Sequence, residues 1–493
     1  MGTLARLGAA AALVLQLLGC ATLPPRGEPA PSFALIPGTA TMLGQAAQAA
    51  AAGRPAGHSG LQLLMQPAPA LQARLDLIAQ AQRTLDVQYY IFEGDATGRA
   101  LLDALRAAAT RGVRVRLLVD DLQLSADGPG AVAPHENLQV RVFNPLPARQ
   151  GSIGTRVLLS LHQFRRINHR MHNKLLVADN SYSISGGRNI GDEYFMQGVH
   201  ANFLDLDVLA VGELVREQST AFDRYWNSAQ AWPLESLQPP GSALPAAPPV
   251  ESAQAGVPPA QDFIWASAHV LKDDPAKLQG AGLRERFAQS VSAQTLHTID
   301  SARSRVVIAT PYFVPGDVGL GIMARARARG VTTVIITNSL GATDEPLVHA
   351  AYARYRRQML ELGVILYEVS PTLTRRLPQW GNLGRSEGRL HAKLALVDNR
   401  WMYVGSMNLD GRSASLNTES GLLIDSPPLV ALFLQNAGPQ RFSGAYEVRL
   451  SSDGSLQWLE DGGAVVHTSE PGAGLMQRLR GWQELPLLDE ELL

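Results

Sequence analysis

The sequence predicts an α/β protein built from two similar lobes, and three observations point there. A short pattern of histidine, lysine, aspartate, glycine and asparagine occurs twice, 219 residues apart. Each copy is preceded by the same succession of helix, strand, helix and strand. Between the halves, Pro233 to Pro259 is rich in proline, alanine, serine and glycine with almost no charge, as a linker is. At 493 residues the chain is long enough for two cores of roughly 200 residues each.

In chain order, the first element is a leader. Residues 1–19 carry Arg6, an apolar run from Gly8 to Leu18 and then Leu17-Leu18-Gly19 before Cys20. That run is about half a membrane span. It resembles the lipobox of bacterial lipoprotein signal peptides, which implies that Cys20 becomes the acylated first residue. Several acyl chains at one site anchor a protein stably. By the sorting convention of such lipoproteins, Ala21 in place of an aspartate implies the outer membrane of a bacterial envelope, facing the periplasm. Cys20 is the sole cysteine, so the mature chain is expected to hold no disulfide. Residues 20–57, rich in Ala, Pro and Gly, read as a tether.

Residues 58–230 form the expected first lobe, 231–262 the linker and 263–493 the second lobe. Leu71 to Gln82 has helical apolar spacing and leads into the strand-like run Leu85 to Ile91; Phe287 to Ala302 leads likewise into Val306 to Ala309. Both continue through an alanine-rich helix, a Gly-Val step at Gly112-Val113 or Gly330-Val331, and a buried strand, Val115 to Val119 or Val334 to Thr337.

The repeated pattern reads H-x-K-x4-D-x6-G-[GS]-x-N. The first copy holds His172, Lys174, Asp179, Gly186, Gly187 and Asn189; the second holds His391, Lys393, Asp398, Gly405, Ser406 and Asn408. Leu175 to Ala178 and Leu394 to Val397 are short apolar runs, hence central strands carrying histidine and lysine at one end. Two residues apart on an extended chain, those side chains share a side. The following strands, Tyr182 to Ser185 and Trp401 to Val404, turn at the glycines and bring the asparagines back toward the histidine end.

Two imidazoles, two lysines and two amides suit attack on a phosphodiester. One neutral histidine serves as nucleophile and forms a phosphohistidine, while the other, protonated, hands its proton to the leaving alkoxide. The lysines offer fixed charge and the asparagines neutral donors to the phosphoryl oxygens. This chemistry calls for no metal and no cofactor. With 43 Lys+Arg against 44 Asp+Glu the net charge is -1, so no basic field argues for nucleic acid. The glycine turns lack the order of a P-loop, which argues against nucleotide binding.

The two complete patterns are similar to the paired HKD motifs of the phospholipase D superfamily, with Gly187 standing where Gly-Ser is commoner. Within it the chain looks most like the bacterial cardiolipin synthases, above all the cardiolipin synthase C branch. That finer resemblance rests on Arg170 to Lys174, Asn338 to Asp344, His349 to Tyr352 and Val364 to Glu368. It implies two α/β lobes, each a mixed sheet flanked by helices, related by a pseudo-twofold axis with the active site at their interface. It implies phospholipid substrates and a membrane-bound phosphatidyltransferase with His172 as nucleophile; it names no protein partner. The alternatives are a hydrolase releasing phosphatidic acid, a metal-independent periplasmic nuclease, or a lipid-binding scaffold.

In this family an acidic residue some 25 to 35 positions past each histidine orients the imidazole. That register offers Asp205 or Asp207 for His172 and Glu419 for His391, with Asp207 and Glu419 aligning best. Asp179 and Asp398 are expected to be structural charges. His58, His135, His162, His200, His269, His297 and His467 are expected as satisfied core residues. His349 is either near the phosphate pocket or on a helix surface. Arg165, Arg166 and Arg170 contact lipid headgroups or form a solvated cluster, and Tyr89, Tyr90, Tyr312 and Phe313 line an acyl entrance or are plain core.

Overall fold

A computed structural model describes residues 22–35, 40–122, 135–238, 263–278, 288, 290–377, 380–438 and 443–474. The signal segment with Cys20, and most of the proline-rich linker, lie outside the described residues. No helix among the described residues is long and apolar enough to cross a membrane.

The first half contributes β1 (His58–Leu64), β2 (Thr84–Tyr89), β3 (Arg114–Asp120), β4 (Leu138–Phe143), β5 (Leu175–Ala178), β6 (Tyr182–Gly186), β7 (Ala201–Leu204), β8 (Asp207–Gly212) and β9 (Ala231–Pro233). The second contributes β10 (Ile264–Lys272), β11 (Arg305–Ala309), β12 (Thr332–Asn338), β13 (Ile365–Val369), β14 (Glu387–Leu390), β15 (Leu394–Val397), β16 (Trp401–Gly405), β17 (Ser420–Asp425) and β18 (Ala445–Leu450), with β19 (Leu456–Glu460) and β20 (Val465–His467) beyond. All but β7 and β14 belong to one mixed sheet of 18 strands.

Its pairings run β9-β4-β3-β2-β5-β6-β8-β1 and then β10-β17-β16-β15-β11-β12-β13-β18. The order is the same read outward from either side of the β1–β10 pair. That pair is antiparallel, with His58 opposite Ser267 and Leu61 opposite Ile264, so a pseudo-twofold axis passes through it. The expected two-lobed α/β architecture is therefore present, with the lobes fused edge to edge through one continuous sheet.

Helices cover the sheet faces: α1 (Met42–Ala51), α2 (Pro67–Gln80), α3 (Ala96–Thr110) and α4 (Glu213–Trp226) in the first lobe, α5 (Val291–Asp300), α6 (Gly316–Ala328) and α7 (Pro427–Ala437) in the second. Their starts follow local chemistry. Thr41, Asp95, Ser290 and Ser426 each place a side-chain oxygen on a free N–H of the first turn. The central strands β5 and β15 are buried along their whole length, which is why they read as unbroken apolar runs.

Two segments depart from their compositional reading. Residues 22–35, expected as tether, are pinned along α4: Arg26 Nε donates to Ala231 O at 2.9 Å, and Asp223 accepts from Ala34 N at 2.9 Å. Farther along, α1 packs as a capped helix. Residues 231–233, expected as the start of the linker, form β9 on the edge of the first lobe's sheet. Specific side-chain acceptors overrode a composition that by itself suggests a loose chain.

Candidate active site

The motif aspartates set the scaffold. Asp179 carboxylate oxygens accept from the backbone N–H groups of Gln82, Arg83 and Thr84 at 2.8–3.2 Å, and Asp398 accepts from Arg303, Ser304 and Arg305 in the same way. Asp179-Asn180 and Asp398-Asn399 all have left-handed backbone, with φ between 49° and 54°, which closes the tight turns β5–β6 and β15–β16. Each aspartate thus ties the motif hairpin to the start of the neighbouring strand, far from the histidine end.

At the other end of β5 and β15 the two lobes interlock. Strand β7 runs parallel to β14, with Leu204 opposite Leu390, so the next residues, Asp205 and His391, stand side by side. Equivalently, Met171 bridges in parallel to Thr418, setting His172 beside Glu419. His391 Nδ1 donates to Asp205 Oδ2 at 2.6 Å, and His172 Nδ1 donates to Glu419 Oε2 at 2.9 Å. Each histidine is therefore held by a carboxylate of the opposite lobe. An ionised carboxylate only accepts, so the ring proton sits on Nδ1 and Nε2 carries the lone pair.

This corrects the sequence reading in two respects. Glu419 serves His172 and not His391, and the first lobe's carboxylate is Asp205, not Asp207. The strand registers explain the choice: Gly186 pairs with Asp207 on β8, and Gly405 pairs with Gly421 on β17. Counting back two residues from each makes Asp205 the counterpart of Glu419. Asp205 and Asp207 differ by one period of an extended chain, so alternation could not separate them.

Asp207 instead sits between two buried guanidiniums, 2.8 Å from Arg74 and 3.1 Å from Arg188. The second lobe has Thr295, Met407 and Gly421 at the corresponding places, so this ion cluster belongs to the first lobe alone. Asp207→Asn is expected to destabilise the fold by about 3–5 kcal/mol, since it strands buried charge. Urea unfolding measures the loss, and the pH–rate profile is expected to keep its shape.

The glycine pair of the first motif has a steric cause. A Cβ at Gly187 would lie 2.1 Å from Asp205 Oδ1, whereas the longer Glu419 leaves room for Ser406, whose Oγ donates to Glu419 Oε2. Ser413 Oγ donates to Oε1 at 2.9 Å. Sequence reasoning placed Ser406 in the motif without giving it this role, and missed Ser413.

Two imidazoles, two amines and two carboxylates are thus enclosed together. Lys393 Nζ lies 3.0 Å from both ring nitrogens of His391, and Lys174 Nζ lies 5.5 Å from the centre of the Tyr90 ring, which is edge-on to His172. Tyr194 and Phe203 flank His391 at 5.2 and 5.0 Å. Burial lowers the His172 pKa to about 4 despite Glu419, with Lys174 adding to the fall. Burial likewise lowers Lys393 to about 8, and burial with Lys393 repulsion takes Lys174 well below the lysine range. His391 is lowered by burial and Lys393. Burial alone would raise Glu419, but His172 and Lys174 bring it down to about 2.

Burial and mutual repulsion hold the imidazoles and amines below their ordinary pKa values, and a bound phosphate acts against both. An anion among these groups raises their pKa values again. Binding of inorganic phosphate at pH 8, where Lys393 is near its midpoint, is expected to take up protons. Calorimetry in two buffers of different ionisation enthalpy reads the number, and proton release would contradict the charge assignment.

The asparagines are not equivalent. Asn189 Nδ2 donates to Tyr194 Oη at 3.0 Å and its Oδ1 accepts from Ile91 N, while Asn408 Oδ1 is buried without a partner. Among the described residues no group of three or more His, Cys, Asp or Glu side chains is placed to hold a metal ion.

Other expectations resolve individually. Arg170 is wholly buried on Asp120 at 2.9 Å, Arg166 braces Asn144, and Arg165 alone of the three is exposed. His135, His162, His200, His269 and His297 are exposed, and His58 and His467 half-buried, so they are not core residues. His349 is buried with Arg356 and Glu470 instead of lying on a helix surface. Tyr89 is core, bonded to Arg74.

Residues 75–226 and 295–437 match the profile of a family described as cardiolipin synthase, PLD-like domain. The chain is 37% identical over 454 residues to cardiolipin synthase C of Escherichia coli, covering 86% of this chain and 94% of that protein. It is 29% identical over 376 residues to cardiolipin synthase A of Pseudomonas syringae, covering 75% of this chain and 66% of that one. Among solved structures, a phosphatidylserine synthase from Haemophilus influenzae superposes with a TM-score of 0.53 at 15% identity, covering 78% of this chain and 87% of the other.

Proposed function

Since the chain belongs to the phospholipase D-like family of cardiolipin synthases, we propose that it transfers a phosphatidyl group between lipid alcohols through a phosphohistidine on His172. The observation that carries the reading is the reciprocal arrangement in which each motif histidine is oriented by the other lobe's carboxylate.

In the first step Nε2 of neutral His172 attacks phosphorus, and the bond to the leaving headgroup oxygen breaks. Protonated His391 gives that oxygen its proton while Asp205 holds the imidazolium. The lysines offset the charge gathering on the non-bridging oxygens. A second lipid alcohol such as phosphatidylglycerol then loses its proton to His391 and displaces His172, giving cardiolipin. Water in its place gives phosphatidic acid, so access of the acceptor decides between transferase and hydrolase.

A site at a lipid surface fits two further features. If Cys20 is acylated, only residues 21–25 separate it from docked Arg26, a reach of about 20 Å, so the lobes are held close to the bilayer. Ile153, Leu158, Leu161 and Phe164 are 45%, 53%, 43% and 47% exposed in a stretch without acidic residues between Glu136 and Asp179, a combination suited to an anionic bilayer surface.

The test is lipid mass spectrometry on the purified protein and on cells lacking cardiolipin synthases that express it. New cardiolipin is expected, with phosphatidic acid as the minor product. An abundant, membrane-bound protein that makes no cardiolipin removes the reading, and phosphatidic acid alone converts it to a hydrolase.

A further inference from the structure

The second lobe contains an apolar cavity of about 360 Å³. It lies between α5, α6 and the face of β11, with Leu296, Ile299, Ile308, Phe313, Ile322 and Met323 among its walls. Its size is that of a ligand pocket.

The pseudo-symmetry explains why it is open. The Gly-Val steps and the registers of β3 on β2 and of β12 on β11 align α3 with α6. At that alignment Gly319 stands where the first lobe has Leu101, which is wholly buried. The aspartate anchors at Gln82 and Arg303 align α2 with α5 in the same way, and Ser292 stands where the first lobe has Leu71. Both Gly319 and Ser292 line the cavity. Two leucine side chains that close the first lobe's helix pair are missing from the second.

One wall of the cavity is formed by the end of the second motif. Its lining includes Asn408, Leu409, Asp410 and Gly411, the segment that ends the second motif. Asn408 is 5% exposed and its Oδ1 has no hydrogen-bond partner. A molecule with a phosphate at the histidines and a hydrocarbon tail extending past Asn408 meets both features. At the outer rim Val318 is 58% exposed, an apolar residue at the mouth.

We propose that this cavity takes one acyl chain of the phospholipid whose phosphate is bound by His172 and His391. The assignment rests on the transferase reading above and adds to it a site for chain selection. An apolar wall gains with each methylene buried, about fourfold in affinity per CH₂, so the cavity gives the enzyme a preference for long chains up to the length it can enclose.

The test uses the full chain with Ile322→Trp and Leu296→Trp, which fill the cavity from opposite walls, and Met323→Ala, which enlarges it. None of these residues belongs to the two motifs. Phosphatidylglycerols from dihexanoyl to dioleoyl are presented at fixed mole fraction in mixed micelles. Wild type is expected to favour long chains. Each tryptophan variant is expected to lose at least tenfold in kcat/KM on dioleoyl lipid, while dihexanoyl lipid stays within twofold. Met323→Ala is expected to shift the optimum to longer chains.

A polyene fatty-acid probe, whose fluorescence rises in apolar surroundings, is expected to bind wild type saturably and neither tryptophan variant. Equal losses on short and long chains, or unchanged chain preference in correctly melting variants, overturn the proposal. Turnover of lipid without any probe binding also overturns it. Probe binding that Ile322→Trp abolishes, in a protein that turns over no phospholipid, supports the cavity as a hydrocarbon site and discards the transferase reading alone.

Discussion

His172→Ala is expected to lower turnover by about 10⁵-fold or more and to leave no phosphoenzyme, the scale seen when a covalent nucleophile is removed. His391→Ala is expected to lose about 10²- to 10⁴-fold, the contribution of a general acid–base, and less on a substrate whose leaving group departs without a proton. The difference follows from charge. Burial holds His172 at about 4, so at neutral pH its Nε2 carries a lone pair and not a proton. Rapid quench into alkaline detergent, in which a phosphohistidine survives, after mixing with a substrate labelled in the phosphate separates the roles. His391→Ala with an activated leaving group should accumulate labelled protein, because the second step then lacks its base. Label on His172→Ala, or none on either wild type or His391→Ala, would reverse the assignment or remove the covalent intermediate.

Glu419→Gln and Asp205→Asn should each cost about 10³- to 10⁴-fold in kcat with little change in KM, since an amide no longer fixes the Nδ1–H tautomer. For Glu419 the loss extends to stability, because its carboxylate accepts from Ser406, Ser413 and the other lobe's His172. The pH dependence has a definite sign. The Glu419 carboxyl, at about 2 when folded against an ordinary value of 4.5, contributes stability that is complete above 4.5 and is lost as pH falls toward 2. His172, at about 4 against 6.5, contributes stability that is complete above 6.5 and is lost as pH falls toward 4. The melting temperature of wild type is expected to drop steadily below pH 6.5. Glu419→Gln should melt lower at pH 7 and lose the part of that slope below 4.5; an unchanged curve would show that the cross-lobe pair does not hold the lobes together.

Much of the site is legible in the chain because it is encoded locally. His172 with Lys174 and His391 with Lys393 share an extended segment, and two-residue spacing puts each pair on one side of a strand. The Asp179 and Asp398 turns are also local, each capping a strand that lies beside its own hairpin. Asp205 was weighed and passed over for Asp207, because an extended chain shows both carboxylates to the same side and only strand register tells them apart. The cavity left no mark either: Gly319 and Ser292 become missing leucines only when one lobe is laid on the other.

By itself the sequence determined that there are two lobes, which five residues recur in each, and what chemistry two imidazoles with two lysines suit, since repeats and periodicity are properties of neighbouring positions. Tertiary structure decided which carboxylate orients which histidine. Strands β7 and β14 pair across the pseudo-twofold, as does the Met171–Thr418 bridge, so each acid is delivered to the opposite lobe. The physical reason is that a hydrogen bond is set by distance in space. Residues 186 or 247 positions apart in the chain come within 3 Å only after the two lobes have joined through β1 and β10.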